Sequence, residues 1–362
     1  MTPLARLIVD EIHRSGPMSV ARYMELCLLH PEHGYYTTRD PFGAAGDFTT
    51  APEISQMFGE LLGLCIAQAW LDQGQPAPFT LAEIGPGRGT LMADLTRAIR
   101  IVPGMRDAAR LHLIEASPRL REMQRKALGA PTHLDEVVQL PQAPLFLIAN
   151  EFFDALPIRQ FERVADDWAE RLVGVGPDGA LAMGLGPPLN LTLPGVAGEV
   201  MERCAAAPAI VAEIATRIAA HGGVALFIDY GGWNGRGDTF QALSAHQPVD
   251  PLAMPGLADL TAHVDFAALG AAAHAAGCAF GYTTQGALLA ALGIGERVRR
   301  LTAAGDAGAA DAARRLTDSA EMGELFKALA IWPVGAPAPA GFAAAPISAG
   351  TVPQPDRADR GT

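Results

Sequence analysis

The sequence predicts an α/β fold in which helices cover both faces of a doubly wound, mostly parallel sheet. From about residue 79, short apolar segments alternate with helical ones, and short apolar runs are typical of strands that are buried on both faces. Strands are predicted at 79–84, 110–115, 137–140, 145–149 and 224–229. A glycine-rich turn follows the first of these strands, and acidic or amide residues follow the second and the fourth. Ligands of such sheets bind beyond the carboxyl ends of the strands, so we expect a ligand site there.

Residues 1–75 are predicted to form an N-terminal helical extension that also supplies a lid. Ser19 has the position of an N-cap for a helix that ends before Pro31, because the residue before a proline disfavours helix. The loop over 31–51 is longer than an ordinary connection and rich in aromatic residues, which indicates a functional loop. Thr50 and Glu53 have capping-box spacing and predict a helix over 53–72.

The domain that contains the sheet is predicted to span 76–333, with insertions at about 158–222 and 232–264. The other predicted elements are a hairpin turn at 177–179, helices over 207–221 and 265–276, and strands at 279–284 and 328–332. Proline and alanine dominate 334–362, which we expect to be an irregular C-terminal tail.

The charge balance and the apolar pattern exclude two classes of function. The 362 residues include 39 acidic and 27 basic ones, a formal net charge of -12 that repels a phosphate backbone. General nucleic-acid binding is therefore not expected. No apolar run approaches the ~18 residues of a membrane helix, and the first residues lack a signal-peptide pattern. We expect a cytoplasmic protein without membrane insertion.

Cysteine and histidine spacing does not predict a metal site. The four cysteines form no C-x-x-C pair and lie among apolar neighbours, so we expect buried thiols at Cys27, Cys65, Cys204 and Cys278. Four histidines could be metal ligands, His30, His33, His246 and His263. They form no H-x-x-x-H pair, so their spacing does not favour a metal site. The first two of these histidines are expected to brace the long loop instead.

The most informative segment reads LAEIGPGRGTLM, residues 81–92, in which a strand ends in a glycine loop. Gly85, Gly87 and Gly89 permit positive φ and close approach of a ligand to the backbone. A dinucleotide site requires G-x-G-x-x-G, and a phosphate-gripping loop ends in Gly-Lys-Ser/Thr, so neither ligand class fits this spacing. Glu83 precedes the loop and suits a ligand with a cationic ammonium group. S-adenosylmethionine is such a ligand.

A second carboxylate, Glu115, ends the second predicted strand, where the ribose of an adenosine would lie in a doubly wound sheet. A carboxylate can accept hydrogen bonds from both ribose hydroxyls. Two plainer interpretations stay open: glycine turns are common, and a glutamate at a strand end can cap the next helix.

Asn150, Glu151 and Asp154 follow the fourth predicted strand and are expected near the reacting end of the cofactor. Together with the aromatic residues beside them, they indicate a substrate clamp. The alternative is that Asn150 and Asp154 only cap a helix, since both residue types are strong N-caps.

On these residues the chain resembles the MidA-like S-adenosylmethionine-dependent methyltransferases, which include a mitochondrial complex I assembly-factor arginine methyltransferase. The resemblance covers nearly the whole chain and depends on segments at 30–36, 46–60, 83–90, 115–118, 150–157 and 227–231, followed by 259–265, 284–286 and 322–327. It implies a class I methyltransferase fold. For the mitochondrial branch it also implies symmetric dimethylation of an arginine in a complex I subunit, and applying that substrate to this chain is an extrapolation. The chain shows no mitochondrial presequence, which favours a bacterial cytoplasm.

Arginine methylation assigns roles to the residues after the fourth strand. A guanidinium is protonated at neutral pH, so its transferase needs carboxylates that orient it and accept a proton. Glu151 and Asp154 are the candidates for that role, and Asn150 is expected to help fix the donor. A small-molecule methyltransferase with a closed apolar pocket is the first alternative. A cofactor-binding assembly factor without turnover is the second.

The remaining candidates are assigned by position. The lid is expected to contact the cofactor through Tyr36, Asp47, Thr50 and Gln56. Leu134 and Asp135 are candidates for contact with adenine. If the acceptor site is not at Glu151, the next candidates are Asp229 and Tyr230.

Overall fold

The computed structural model describes residues 1–38, 50–191 and 193–345, which form two compact units. Unit 1 comprises Met1–Thr49, Phe153–Ala207 and Gly232–Ala267. Unit 2 comprises Thr50–Phe152, Pro208–Gly231 and Ala268–Thr362. The N-terminal helices therefore group with the two insertions, a division that cuts across the three segments drawn from the sequence.

The helices of the described residues are, in chain order, α1 (Pro3–Ser15), α2 (Val20–Leu29), α3 (Tyr35–Thr38), α4 (Ala51–Ile54), α5 (Gln56–Asp72), α6 (Thr90–Ala98), α7 (Met105–Ala108), α8 (Pro118–Leu128), α9 (Ala206–His221), α10 (Phe266–Ala275), α11 (Gln285–Ala291), α12 (Ile294–Ala303), α13 (Ala309–Thr317) and α14 (Met322–Leu325). Short 3₁₀ helices occur at Ile99–Ile101 and Val137–Gln139. None of the helices in the described part of the chain has the length and apolarity needed to cross a membrane.

The strands of the described residues are β1 (Met18–Ser19), β2 (Phe79–Ile84), β3 (Ala109–Ile114), β4 (Thr132–Leu134), β5 (Leu145–Asn150), β6 (Ile158–Val164), β7 (Asp167–Val175), β8 (Leu181–Pro188), β9 (Val200–Cys204), β10 (Gly223–Gly232), β11 (Gln241–Ser244), β12 (Gln247–Val249), β13 (Asp259–Thr261), β14 (Val264–Asp265), β15 (Cys278–Thr284) and β16 (Phe326–Pro333).

Unit 2 contains a sheet with the strand order β15-β16-β10-β5-β2-β3-β4. Pairing is parallel from β4 through β10. The next strand, β16, pairs antiparallel with β10 on one side and with β15 on the other. The chain runs outward through β2, β3 and β4, and then returns to β5 on the other side of β2. A sheet in which the strand order reverses in this way offers a ligand site between the two diverging strands, at their carboxyl ends.

The register brings the carboxyl ends of the central strands to one level. Ile84 of β2 is paired with Ile114 of β3 and with Ala149 of β5, and Asn150 is paired with Ile228 of β10. The residues that directly follow these positions therefore share one edge of the sheet, which is the edge where the sequence predicts the site.

A large apolar core packs this sheet against helices. Every residue of β2 and β5 is buried, as expected for parallel strands that are covered on both faces. Helix α5 contributes buried side chains along its whole length, from Met57 to Trp70, and packs beside α6. At roughly 1.5–3 kcal/mol for each fully buried large apolar side chain, this packing fixes the strand ends firmly.

Unit 1 has its own core, which is formed by α1 and α2 together with strands of the two insertions. Its larger sheet has the order β1-β7-β6-β9 with β8 on the other edge of β7, and a smaller sheet has the order β12-β11-β13. Fully buried Ile8 and Tyr23 belong to the apolar cluster. The Tyr23 hydroxyl donates to the carbonyl of Pro251 at 2.6 Å, so the N-terminal helices are tied to the second insertion.

The strand predicted at 137–140 is wrong: that segment is a 3₁₀ helix, and the edge strand of the sheet is β4. The backbone carbonyls of Val138 and Leu140 accept hydrogen bonds from the buried guanidinium of Arg217 instead of from a strand. The Gln139 side chain accepts from the backbone nitrogens of Asp135 and Glu136 at 2.7 and 3.0 Å and so turns the chain. The segment is apolar, as a strand would be, but Arg217 takes the backbone carbonyls that a neighbouring strand would need.

The capping box predicted at Thr50 and Glu53 is also wrong. Thr50 makes no side-chain cap, and the helix predicted over 53–72 is interrupted between α4 and α5. Ser55 caps α5 by accepting from the backbone nitrogen of Met57 at 3.2 Å. The other helix cap predicted near the N-terminus is confirmed, because the Ser19 hydroxyl accepts from the backbone nitrogen of Arg22 at 3.2 Å and α2 ends at Leu29.

Elements predicted in the insertions and near the C-terminus are confirmed. The turn at 177–179 joins β7 and β8, and the backbone nitrogen of Gly176 donates to the carbonyl of Ala180 at 2.7 Å. The helices and strands that follow are α9, α10, β15 and β16. All four cysteines are free thiols, and Cys27, Cys65 and Cys278 are buried as expected. Cys204 is only half-buried, because it ends β9 and its sulfur accepts from the backbone nitrogen of Ala207.

Close packing of α5 on α6 yields the first testable prediction. A Cβ at Gly59 would lie 2.7 Å from the Cβ of Asp94, so Gly59→Ala forces the two helices apart. We expect it to lower the free energy of unfolding by about 1–3 kcal/mol. Gly295→Ala is the matched control, since Gly295 is also helical and its Cβ would meet nothing within 4 Å. That control is expected to be neutral or stabilising by up to ~1 kcal/mol. Equal unfolding free energies for both variants in urea titrations would contradict the packing argument.

Candidate cofactor and acceptor site

The glycine loop, residues 85–89, joins β2 to α6 at the point where the strand order reverses. All of its glycines have positive φ, 63° at Gly85, 51° at Gly87 and 85° at Gly89, a conformation that L-residues rarely adopt. A Cβ at Gly85 would lie 3.0 Å from the ring of Phe152, and one at Gly89 would lie 3.3 Å from the side chain of Leu128. Backbone conformation therefore favours glycine at all three positions, and packing leaves little room for a Cβ at Gly85 and Gly89.

Glu83 lies beneath this loop with a side chain that is 2% exposed. Its Oε2 has no hydrogen-bond partner among the described residues. Burial raises the pKa of this carboxyl to about 8, the backbone N–H of Met92 opposes the shift, and the negative charge of Glu115 adds to it. A buried carboxylate without a complete set of partners is costly, and a cation that reaches it removes the cost. The carboxylate therefore fits a ligand that carries an ammonium group.

Glu115 follows β3 at the same edge and is held by two donors. Its Oε1 accepts from the backbone nitrogen of Ser117 at 2.8 Å, and its Oε2 accepts from the side chain of Gln124 at 3.3 Å. Burial is the main cause that raises the pKa of this carboxyl. The N-cap of α8 is Ser117, whose hydroxyl accepts from the backbone nitrogen of Leu120 at 3.5 Å, and Glu115 only supports that cap through its bond to the Ser117 nitrogen. The bond to Gln124 is an additional constraint that the sequence did not indicate.

Asn150 and Glu151 form the edge of the sheet at the end of β5. The Glu151 Oε1 accepts from the side-chain nitrogen of Asn150 at 3.0 Å and from the backbone nitrogen of Ala51 at 3.1 Å. Glu151 has φ of 50°, and its backbone nitrogen donates to the carbonyl of Ile228 at 2.9 Å. A non-glycine residue in this conformation stores strain, which proteins tolerate mainly at functional sites. The Oδ1 of Asn150 is buried without a partner among the described residues and is therefore available to a ligand.

Asp229, the fallback candidate, supports this edge from β10. It is fully buried, and its Oδ2 accepts from the backbone nitrogen of Phe152 at 3.1 Å. Its Oδ1 accepts from the backbone nitrogen of its neighbour Tyr230 at 3.0 Å. Asp229 therefore fixes the turn that carries Glu151.

The helix-cap alternative for Asn150 and Asp154 is wrong. Residues 151–157, all of which are described, form turns and bends and lead directly into β6. These side chains therefore have another function than capping.

Asp154 belongs to unit 1, where it lies in a second acidic environment. Its carboxylate is 7% exposed, and its backbone carbonyl accepts from the nitrogen of Ala262 at 3.0 Å. Tyr36 donates its hydroxyl to Oδ1 of buried Asp259 at 2.8 Å. Burial, followed by the charges of Asp259 and Asp154, raises the pKa of Tyr36, so the two carboxylates and the phenol are close neighbours. The structure places the Tyr36 hydroxyl on Asp259, and its contact with the cofactor stays a prediction.

The other three lid candidates, Thr50, Gln56 and Asp47, have different outcomes. Thr50 precedes Ala51 and so lies beside the Glu151 contact. The Gln56 side chain accepts at 3.1 Å from Arg97 in the last turn of α6, and its contact with the cofactor stays a prediction. Asp47 lies outside the described residues.

Glu53, which was predicted to cap its own helix, instead contacts the residue that directly follows the glycine loop. Its Oε1 accepts from the hydroxyl of Thr90, the first residue of α6, at 2.7 Å. The only signal for it was the capping-box spacing, which pointed to the wrong partner.

Leu134 and Asp135, the adenine candidates, lie beside Glu115, since the Leu134 carbonyl accepts from the Glu115 nitrogen at 3.2 Å. Their contact with adenine stays a prediction.

Comparison with known proteins identifies relatives of the whole chain. A family model described as S-adenosyl-L-methionine-dependent methyltransferase matches residues 61–284. The protein arginine methyltransferase NDUFAF7, mitochondrial, of Danio rerio is 37% identical over 331 residues, which cover 83% of this chain and 78% of the relative. The Homo sapiens protein of that name is 34% identical, with 83% and 76% covered. A COG1565 superfamily member from Burkholderia thailandensis, solved with bound S-adenosyl-homocysteine, is 32% identical, with a TM-score of 0.82 and 93% of each chain covered.

The residues at the sheet edge fit that ligand. S-adenosyl-homocysteine and its methylated form both carry an ammonium group and a ribose. Glu83 and Asn150 present buried oxygens without partners among the described residues, and Glu115 offers a carboxylate one strand away. The glycine loop begins at the same edge with half-buried Gly85.

Substitution of the central glycine tests the loop. Gly87→Val places a branched side chain on a residue with φ of 51°, where the backbone must approach the ligand. We expect S-adenosyl-homocysteine binding, measured by calorimetry, to be lost while the circular dichroism spectrum stays unchanged. Gly104→Val is the matched control, because Gly104 has φ of 78° and its Cβ would meet nothing within 4 Å. If Gly87→Val binds S-adenosyl-homocysteine with the parental affinity, the ligand does not bind at this loop.

The raised pKa of Glu83 predicts a pH dependence of stability. The ordinary pKa of 4.5 applies to the unfolded chain, and the folded carboxyl titrates at about 8, so between these values the folded state holds the extra proton. Stability from this group is therefore complete below about pH 4.5 and is lost as the pH rises to about 8. Without ligand, Glu83→Gln should gain melting temperature relative to the parent between pH 5 and pH 8.5. A constant difference across that range would show that Glu83 is ionised throughout.

Proposed function

Because the chain belongs to this family of S-adenosyl-L-methionine-dependent methyltransferases, we propose that it methylates an arginine side chain of a protein. The relatives of Danio rerio and Homo sapiens carry the name protein arginine methyltransferase, and they match more than four fifths of this chain. The class I methyltransferase fold and the shared edge of the sheet supply the cofactor half of that reaction.

The observation that carries the acceptor half is the set of carboxylates that begins where β5 ends. Glu151 lies at the sheet edge, and Asp154 follows three positions later as a buried carboxylate near Asp259. A guanidinium keeps its proton at neutral pH and presents donors in a planar fork, which carboxylates match in charge and geometry. Asp154 follows Glu151 in the segment that leads into β6, and acidic residues in the segment after β5 favour a cationic acceptor.

The division of work among the residues follows from their contacts. S-adenosylmethionine, when bound, supplies an electrophilic methyl group. Glu83 and the glycine loop hold its amino-acid part, Glu115 holds the ribose, and Asn150 orients the donor end. Glu151 accepts two N–H hydrogen bonds that fix the direction of its carboxylate. With Asp154 it orients the acceptor guanidinium and takes the proton that is released as the new bond forms.

We further infer that the product is symmetric dimethylarginine in a subunit of respiratory complex I, and that the modification supports assembly of that complex. This finer proposal follows the family resemblance, since the printed names of the relatives state arginine methylation and a mitochondrial location only. The cytoplasmic location expected from the sequence stays a prediction.

Transfer of label identifies the substrate class. The protein is incubated with S-adenosylmethionine that carries a labelled methyl group and with an extract from cells that lack it. We expect label in a polypeptide, and acid hydrolysis should yield symmetric dimethylarginine. Label in a small molecule would overturn the protein substrate, and label in another amino acid would overturn the arginine assignment.

Neutral isosteres of the two carboxylates separate cofactor binding from transfer. Glu151→Gln keeps the accepting Oε1 but removes the charge, so S-adenosyl-homocysteine affinity should stay within a few fold. Methyl transfer should fall by roughly 10²–10⁴, the usual contribution of a positioned proton acceptor. Asp154→Asn should act similarly.

Glu122→Gln is the control for this pair, since Glu122 is exposed on α8 and the same change there should leave both quantities unaltered. Transfer by Glu151→Gln at the parental rate would make Glu151 a structural residue whose contact with Ala51 is its whole function.

A further inference from the structure

Gln124 of α8 lies inside the framework of the cofactor site, and its side chain is fully buried. Its amide nitrogen donates to the carbonyl of Gly87 at 2.7 Å and to Oε2 of Glu115 at 3.3 Å. Its amide oxygen is 2.8 Å from Nε2 of His133. One side chain therefore joins the glycine loop, the carboxylate after β3 and the edge strand β4.

The partners of Gln124 fix the direction of its amide. A backbone carbonyl and a carboxylate can only accept, so the amide nitrogen must face Gly87 and Glu115. The amide oxygen then faces His133, whose Nε2 must carry a hydrogen. A reversed amide would place oxygen against two oxygen acceptors, which burial makes costly. The arrangement has one orientation, and each of its three bonds depends on the others.

The bridge acts directly on the residues that meet the ligand. Glu115 is half-buried, and desolvation raises the pKa of its carboxyl, whereas the hydrogen bond from Gln124 lowers that pKa. The same bond fixes the direction of the carboxylate. The Cγ of Gln124 would lie 3.5 Å from a Cβ at Gly89, so α8 packs directly against the glycine loop. Loop and carboxylate therefore keep a fixed spacing through this one side chain.

We propose that Gln124 is the positioning residue for the adenosine half of the methyl donor: it aims Glu115 at the ribose hydroxyls and holds Gly87 at the matching distance. His133 completes the bridge by fixing the amide. The inference rests on cofactor binding at the glycine loop, which the parent protein tests by itself. If the parent fails to bind S-adenosyl-homocysteine, the cofactor site is wrong. If the parent binds and the variants below do too, only the role of Gln124 is wrong.

The test compares two buried glutamines in unit 2. Gln124→Met keeps the length of the side chain and removes all three hydrogen bonds. Gln285→Met is the matched control, because Gln285 is also fully buried and donates to a backbone carbonyl, that of Leu316, at 2.9 Å. Calorimetry measures the affinity for S-adenosyl-homocysteine and for adenosine, and melting temperature reports the fold. Both variants are expected to melt at lower temperature than the parent.

Only Gln124→Met is expected to lose affinity, by about tenfold to a hundredfold for S-adenosyl-homocysteine and by a similar factor for adenosine, which retains the ribose. Glu115→Gln should lower the additional effect of Gln124→Met, because residues in one hydrogen-bond network are not additive. Affinity within twofold of the parent, or equal losses in both glutamine variants, would overturn the proposal.

A second variant decides the question if Gln124→Met does not fold. His133→Phe changes a half-buried residue at the edge of the sheet and removes the contact that fixes the amide. We expect it to weaken S-adenosyl-homocysteine binding severalfold at an unchanged melting temperature. Parental affinity in that variant would also overturn the bridge.

Discussion

A buried carboxylate at the end of a buried strand is the constraint on which the site depends. Glu83 is the last residue but one of a strand whose every residue is buried, and one of its oxygens has no partner among the described residues. Such a group lowers stability unless a cation meets it, and a ligand with an ammonium group supplies that cation. The glycine loop directly above admits that ligand to the backbone, and the parallel register aligns Glu115 and Asn150 at the same level. The rest of the sheet edge follows from that alignment.

The two sides of the reaction draw on different parts of the chain. Residues around the glycine loop are fixed by sheet register and by α8, and their charges match a donor with an ammonium group. Residues after β5 are fixed by local bonds: Asp229 holds the turn, and Glu151 ties Asn150 to the start of α4. Asp154 continues this segment into unit 1, where Asp259 and Tyr36 lie near it. The backbone at Glu151 is strained, with φ of 50°.

Sequence reasoning succeeded where one local pattern determines the structure. The strands that lead to the glycine loop, to Glu115 and to Asn150 were predicted from their apolar runs, and the structure confirms them as β2, β3 and β5. Prediction from the sequence failed where a side chain far along the chain determines the local backbone structure. Arg217 takes the carbonyls of residues 138 and 140, which no local pattern reveals, and Glu53 bonds Thr90 rather than its own helix. Gln124 had no signal at all, because a glutamine in a polar helix is ordinarily solvent-exposed. Asp259 was visible only as part of a segment that the family shares.

The position of the bound ligand tests this account most directly. A crystal structure of the protein with S-adenosyl-homocysteine should place the ligand's ammonium group within hydrogen-bond distance of the Glu83 carboxylate, directly or through one water molecule. The ribose hydroxyls should lie on Glu115. A complex in which the ligand lies elsewhere, or in which Glu83 keeps an oxygen without a partner while the ligand is bound, would contradict it.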